Sequence, residues 1–387
     1  MFETRQWMIQ MTVFMGIGVI PQMMSASAMP FFQTNLTSDI PGLANNTDPN
    51  LVNPWGIAFS STSPFWIADN HSGLSTVYNA AGQPFPTNNP LVVTIPPPPG
   101  GAPPASPTGI VFNGSSGFEL GGKPAAFIFA TEDGTISAWN GSSSAVLQVD
   151  NSSSAVYKGL AIGSNSSGNF LYAANFKGGT VDVFDSKFKP VALAGSFKDP
   201  SLPAGYAPFN IQNVGSILYV TYAKQNAEGH DDVAGPGNGF VDVFDTNGNM
   251  VRRLISNGPL NSPWGVAVAP AAFGSLGGNL LVGNFGDGTI NAFDPTTGQF
   301  IGEMQNAAGN PISIEGLWSL KFGNGGLAGD PNTLFFTAGI SGGGTVEDHG
   351  LFGDLQPVPE PGTVGTMALG LIGLGGYAVR KKRISKK

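Results

Sequence analysis

The 387-residue chain contains no cysteine. In an oxidising compartment it therefore gains no disulfide staple, and its fold must be held by burial and backbone pairing alone. Charge is scarce at 11% of residues, and positive charge is scarcer still. Setting aside Glu3 and Arg5 near the start, and Glu360, Arg380, Lys381, Lys382, Arg383, Lys386 and Lys387 near the end, leaves 23 acids against 10 bases. So acidic a body has no electrostatic footprint for nucleic acid or for an anionic bilayer. Neutral glycans and cations suit it better. The three histidines, His71, His230 and His349, would all be consumed from three separate repeats by one three-histidine zinc site. No Gly-x-Ser-x-Gly elbow offers a serine nucleophile. Gly342-Gly343-Gly344 lacks the lysine and helix of a phosphate loop. No amphipathic helical stretch interrupts the body of the chain.

What the chain has instead is repetition. Six units of about 50 to 55 residues recur, within the range of propeller arrays. Each opens on a turn and an apolar strand: Pro54-Trp55-Gly56-Ile57, Pro107-Thr108-Gly109-Ile110, Lys158-Gly159-Leu160, Pro208-Phe209-Asn210-Ile211, Pro263-Trp264-Gly265-Val266 and Leu317-Trp318-Ser319-Leu320. A second apolar strand follows, then a Gly-led third strand such as Gly179-Thr180-Val181-Asp182-Val183-Phe184. Its alternation of apolar and polar residues has the two-residue period of a half-buried strand. Asp245-Thr246-Asn247-Gly248 and Asp294-Pro295-Thr296-Thr297-Gly298 are turn sequences leading to a fourth, outer strand of the kind seen in Leu91 to Ile95. The expected fold is an all-β, six-bladed propeller of four-stranded blades. Unit six lacks a fourth strand of its own. Phe31 to Thr37 is the expected donor, pairing with Leu351 to Leu355 and closing an edge that would otherwise invite aggregation. The proline-rich stretch from Pro96 to Pro104 reads as a solvated loop.

In such an array the turns opening each unit and the ends of the second strands gather at one mouth of the central channel. Asp69, Glu132, Asn175 and Asn284 close second strands and are placed there, where carboxylates and amides suit a hard cation such as Ca²⁺. Capping of strand ends and turns explains the same residues. The insertion from Lys224 to Gly239 overhangs the mouth, and its His230, Asp231 and Asp232 suit metal binding or acid–base work, or a solvated loop held by Asx turns.

Both termini read as addresses. Arg5, the apolar run Trp7 to Ile20 and Ala26-Ser27-Ala28 form a signal peptide over residues 1–28, with signal peptidase expected to cut after Ala28. The propeller spans residues 29–356. The tail, 357–387, combines Pro359-Glu360-Pro361, seventeen uncharged residues from 363 to 379, and Arg380-Lys381-Lys382-Arg383. That apolar run spans about 26 Å as a helix, just enough to cross a hydrocarbon core, and the basic cluster keeps the C-terminus cytoplasmic. The tail resembles the PEP-CTERM sorting signal, whose processing enzyme is an exosortase. From Asn35-Leu36-Thr37 through Asn53-Pro54-Trp55-Gly56 to His230-Asp231-Asp232 and His349-Gly350-Leu351, the body resembles a bacterial family of exported propellers. That resemblance implies a fold, and a location at the cell surface or in a matrix of extracellular polysaccharide, but no reaction. A glycan- or protein-binding surface protein is the expectation, with a hydrolase, lyase or lactonase using a divalent cation as the alternative.

Overall fold

The computed structural model describes residues 30–358, and in them six antiparallel sheets form the blades of a propeller. The signal peptide and the apolar tail segment lie outside the described residues. Blade one comprises Pro54–Ala58, Phe65–Asp69, Leu74–Tyr78 and Val92–Thr94. Blade two comprises Pro107–Phe112, Phe127–Thr131, Thr135–Trp139 and Val146–Asp150. Blade three holds Tyr157–Asn165, Gly168–Asn175 and Thr180–Asp185; blade four holds Tyr206–Val214, Ile217–Lys224, Phe240–Asp245 and Met250–Ser256. Blade five is built from Pro263–Val268, Leu280–Asn284, Ile290–Phe293 and Phe300–Glu303, and blade six opens with Leu317–Phe322, Leu334–Ile340 and His349–Pro357. Each inner strand packs against the next, and that of blade six returns to that of blade one, so the ring is closed. Among the described residues the one helical turn is Gly274–Leu276.

The closing strand is Phe31–Ser38, which pairs antiparallel with His349–Pro357 from Phe31 opposite Pro357 to Ser38 opposite Leu351. A bulge between Asn35 and Thr37 turns Leu36 into the core, where it is 4% exposed. Blade three departs from the expected four strands. Lys189 to Val191 return to the third strand through a single bridge, Phe184 opposite Pro190, flanked by two bonds, Asp185 N–H to the Lys189 carbonyl and Val191 N–H to the Val183 carbonyl. Pro190 has no N–H with which to extend a ladder. The chain then leaves for blade four, where Gly195 lies so close to Gly248 that a Cβ would fall 2.1 Å from its carbonyl carbon.

Alternation along the strands sends apolar side chains to both faces of each sheet, so the core is divided among the interfaces between neighbouring blades. A separate aromatic cluster of Trp55, Phe176, Phe209, Trp264 and Trp318 plugs the axis. It arises because the inner strands are bulged where each blade begins, and a bulge re-aims a side chain. Trp55, Lys158, Phe209, Trp264 and Trp318 all occupy this bulged position. The glycine that follows in four blades is required by close approach. A Cβ at Gly109 would lie 2.3 Å from the backbone N of Leu160, and one at Gly265 would lie 2.5 Å from the Trp318 carbonyl oxygen.

Candidate functional site

Above the aromatic plug, one mouth of the channel opens into a cavity of about 650 Å³. Trp55 and Trp318 stack at a centroid distance of 3.5 Å with Trp264 edge-on to both, and Phe285 stacks on Trp318 at 4.1 Å. Trp55, Trp318 and Phe285 all line the cavity. Trp264 donates its indole N–H to the Lys158 carbonyl (3.0 Å), and Trp318 donates to Asn53 Oδ1 (3.1 Å). The Trp55 indole N–H, 1% exposed as a residue, meets no acceptor among the described residues.

A belt of polar side chains from five blades rests on this plug. It begins at Glu347 in blade six, whose Oε1 accepts from Asn53 Nδ2 at 2.9 Å. Asn53 also reaches Asn70 Oδ1 at 3.4 Å, and Asn70 Nδ2 donates to Glu132 Oε2 at 2.7 Å. The other Glu132 oxygen accepts from the Lys158 ammonium, which lies 3.5 Å from Asp231 Oδ1. Asp231 Oδ1 in turn bonds His230 Nδ1 at 2.7 Å. Two members of the belt sit on left-handed backbone, Asn53 at φ 49° and Glu347 at φ 79°. Non-glycine residues held there store strain, which surrounding structure must offset.

The electrostatics follow from this wiring. Lys158 is buried, which alone would depress its pKa, but the attraction and hydrogen bond of Glu132 more than reverse the effect and hold it above the ordinary value. Its ammonium also lies 5.3 Å from the Trp55 ring centroid, a cation–π distance. The His230 bond, opposed by burial and aided by Lys158, brings Asp231 down to about 2. Burial, partly offset by the Asn53 bond and reinforced by the charge of Glu132, pushes Glu347 up to about 7. The folded state therefore keeps a proton on Glu347 that the unfolded chain releases near 4.5. Stability from this group declines as pH rises from 4.5 toward 7. Thermal melts across that window should show a shallower decline for Glu347→Gln than for the parent, and parallel curves would refute the assignment.

The structure separates the residues singled out from the sequence. Glu132, His230, Asp231 and Asp232 line the cavity together. Asp69, Asn175 and Asn284 do not. Asp69 is fully buried inside blade one, accepting from the backbone N and the hydroxyl of Thr76, and its burial raises its pKa well above the ordinary range. Asn175 bonds Asp182 and the backbone of Val156 and Gly178, and Asn284 bonds Pro259 and the backbone N of Asn261. The register explains the split. Asp69, Thr131, Asn175 and Asn284 stand opposite the opening residues Pro54, Pro107, Tyr157 and Pro263, and the next residue in each blade, Asn70, Glu132, Phe176 or Phe285, faces the other way. Lys158, Glu347, Asn53 and Asn70 were missed from the sequence. Lys158 carried a signal, because it is the one charged residue in a bulged position that four other blades fill with Trp or Phe.

Ligand atoms of Glu132, His230 and Asp231 all lie within 4.8 Å of one another, so these three could hold a metal ion. The Lys158 ammonium already contacts two of them. Asp232 sits beside them with Oδ2 buried and without a well-aligned partner, and burial raises its pKa against the pull of the Ser262 hydroxyl.

Comparison with known proteins places the chain. Residues 357–383 match the PEP-CTERM protein-sorting motif, beginning on the last residue of the last strand. That motif implies export and processing by an exosortase. Among solved structures, a streptogramin B lyase is 12% identical over 85% of this chain and 98% of its own, with a TM-score of 0.48. The virginiamycin B lyase of Staphylococcus aureus is 16% identical over 85% and 100%, with a TM-score of 0.47. No chemistry is carried over from either. Closer in sequence are two uncharacterised proteins of Acanthamoeba polyphaga mimivirus. One is 35% identical over 79% of this chain and 76% of its own, the other 34% identical over 72% and 75%. The chain belongs to the family of these two proteins, and it joins their shared body to a PEP-CTERM sorting tail.

Proposed function

We propose that the protein is a cell-surface or matrix component whose propeller binds a glycan in the channel mouth. A signal peptide over residues 1–28 would direct export, and residues 363–379 would anchor the chain in the membrane until the tail is processed. The described propeller ends where that tail begins, with the Val358 N–H bonded to the Pro30 carbonyl at 2.8 Å. Removal of the tail would therefore leave the closed ring whole. The observation that carries the reading is the mouth itself: a ligand-sized cavity, an aromatic floor with an unsatisfied indole N–H, and a fixed belt of acceptors and amides. Sugars are recognised by that combination of ring stacking and directed hydrogen bonds to hydroxyls. The test is a glycan array probed with the full chain in mild detergent. Binding should be lost in Phe285→Ala, which removes the half-buried ring stacked on Trp318. Absence of binding by the parent, or its retention in the variant, would count against the reading.

The cluster of Glu132, His230 and Asp231 favours a second reading, a lyase, hydrolase or lactonase with a divalent cation such as Ca²⁺ at the mouth. Lys158 stands against it, since its ammonium contacts both carboxylates and would repel a divalent ion or have to be displaced. Terbium luminescence sensitised by Trp55 and Trp318 decides the matter. The parent should stay dark to millimolar terbium, while Lys158→Met should emit. Micromolar binding by the parent would make the enzyme reading the stronger one.

A further inference from the structure

We infer that the mouth prefers glycans carrying free amino groups, so that its ligand is a cationic amino sugar rather than a neutral or acidic one. This rests on the glycan reading above and names the class of sugar. Six carboxylates line the cavity, those of Glu132, Asp231, Asp232, Asp287, Glu315 and Glu347, and Lys158 is its one lysine. That lysine is spent on Glu132 and Asp231. Asp287 is engaged by Thr289 and Asn261, and Glu315 by the backbone N and hydroxyl of Ser341. Two acceptors are left over. Asp232 Oδ2 is buried with the Ser262 hydroxyl beside it but no well-aligned donor among the described residues, and Glu347 is met by a protein donor on Oε1 alone.

A buried or half-buried carboxylate without a counter-ion is costly, and an alkylammonium would supply both the charge and the N–H donors these two lack. Charge alone would not distinguish a sugar from any small cation. The separate observation is Trp55, a residue that lines the same cavity and whose buried indole N–H meets no acceptor among the described residues. It calls for an oxygen, which a hydroxyl of the same sugar ring supplies and a metal ion or simple amine does not. A uronic acid would satisfy the indole but bring its carboxylate among six others.

Proton linkage supports the assignment. Glu347 is held up by burial and by Glu132 and Asp232, against Asn53 and Lys158. An ammonium arriving beside it favours the ionised form, so binding near pH 7 should release a proton.

The experiment is isothermal titration of the full chain in mild detergent with a glucosamine tetrasaccharide, its fully N-acetylated counterpart and a uronic acid tetrasaccharide. The measurement is repeated in two buffers of different ionisation enthalpy to count protons. The amino form is expected to bind at least tenfold more tightly than the acetylated one, with proton release, and the uronic form not at all. Glu347→Gln and Asp232→Asn, each checked by thermal melting, should reduce that preference to less than threefold. Equal binding of amino and acetylated forms, or a preference intact in both variants, would overturn the inference and leave the glycan reading standing. Failure of all three sugars to bind would remove both.

Discussion

A chain lacking residues 30–38 should not fold, and a synthetic peptide of residues 30–39 added in trans should restore it. The strand Phe31–Ser38 is the outer strand of blade six, supplied by the start of the described chain to the blade at its end. Its backbone pairs with Leu351 to Pro357, and its ends are pinned to both neighbours. Phe31 N–H bonds the Gln305 carbonyl beyond blade five, Thr37 Oγ1 bonds the Gly82 carbonyl of blade one at 2.5 Å, and Ser38 Oγ bonds Gly350 at 2.7 Å. Just beyond, Asp39 receives the Gly350 N–H at 2.8 Å and pairs with His349 Nδ1 at 2.6 Å. Without this strand, one sheet presents an unpaired apolar edge at Leu351, Phe352 and Leu355. The milder Phe31→Ala, which empties a side chain packed 4.9 Å from Phe273, should cost about 3–5 kcal/mol. Denaturant titration measures the point variant, while circular dichroism and light scattering report the truncation. A truncated chain with an unchanged unfolding midpoint would show that the ring closes by other means. Peptide rescue separates lost closure from general misfolding, since only a vacant strand position can accept it by strand addition.

The fold was legible because its determinants are local and repeated. Third strands such as Val241-Asp242-Val243-Phe244 alternate visibly, and the Pro-aromatic-Gly turns mark where blades begin. The missing fourth strand of unit six followed from counting, and its donor from the apolar segment left over near the start. The shortened fourth strand of blade three was not legible. Its cause is a tertiary contact, Phe197 leaving blade three to pack between Tyr172 and Phe244, and nothing in the strand's own sequence announces it beyond Pro190. The site was half legible for a related reason. Acidic and amide residues at strand ends are visible in sequence, but which face they take depends on a single residue of register. Asp69 and Glu132 look alike in sequence, yet one ties a turn inside its own blade and the other faces the channel. The alternation along the second strand decides this, since Asp69 stands opposite Pro54 whereas Glu132 lies one residue past Thr131, the partner of Pro107. Glu347 and Asn53 come from opposite ends of the chain, 294 residues apart, and meet only because the ring closes.

That closure makes the belt a single unit, and its most sensitive link is Glu132. Removing its carboxylate by Glu132→Leu should destabilise the propeller by about 3–5 kcal/mol, because Lys158 is then buried with only the exposed Asp231 for a partner, 3.5 Å away. Its side chain is 3% exposed, against 13% for Glu132, so neither water nor a rotamer change relieves the charge easily. Asn70 loses its acceptor at the same time. Removing both charges should cost much less, since a buried pair contributes little net stability when replaced by apolar groups of similar volume. Glu132→Leu combined with Lys158→Met is therefore expected to recover most of the loss, a coupling of at least about 2 kcal/mol in a double-mutant cycle. Lys158→Met alone should fall between, leaving Glu132 held by Asn70 but without a cation. Urea unfolding of the four proteins supplies the cycle, and additive effects would mean that the ammonium and the carboxylate do not act as a pair. The same double variant separates stability from recognition. Its fold restored but its belt cut between Asn70 and Asp231, it should bind glycan more weakly than the parent, because fixed acceptors have been exchanged for apolar surface where the ligand's hydroxyls must be met.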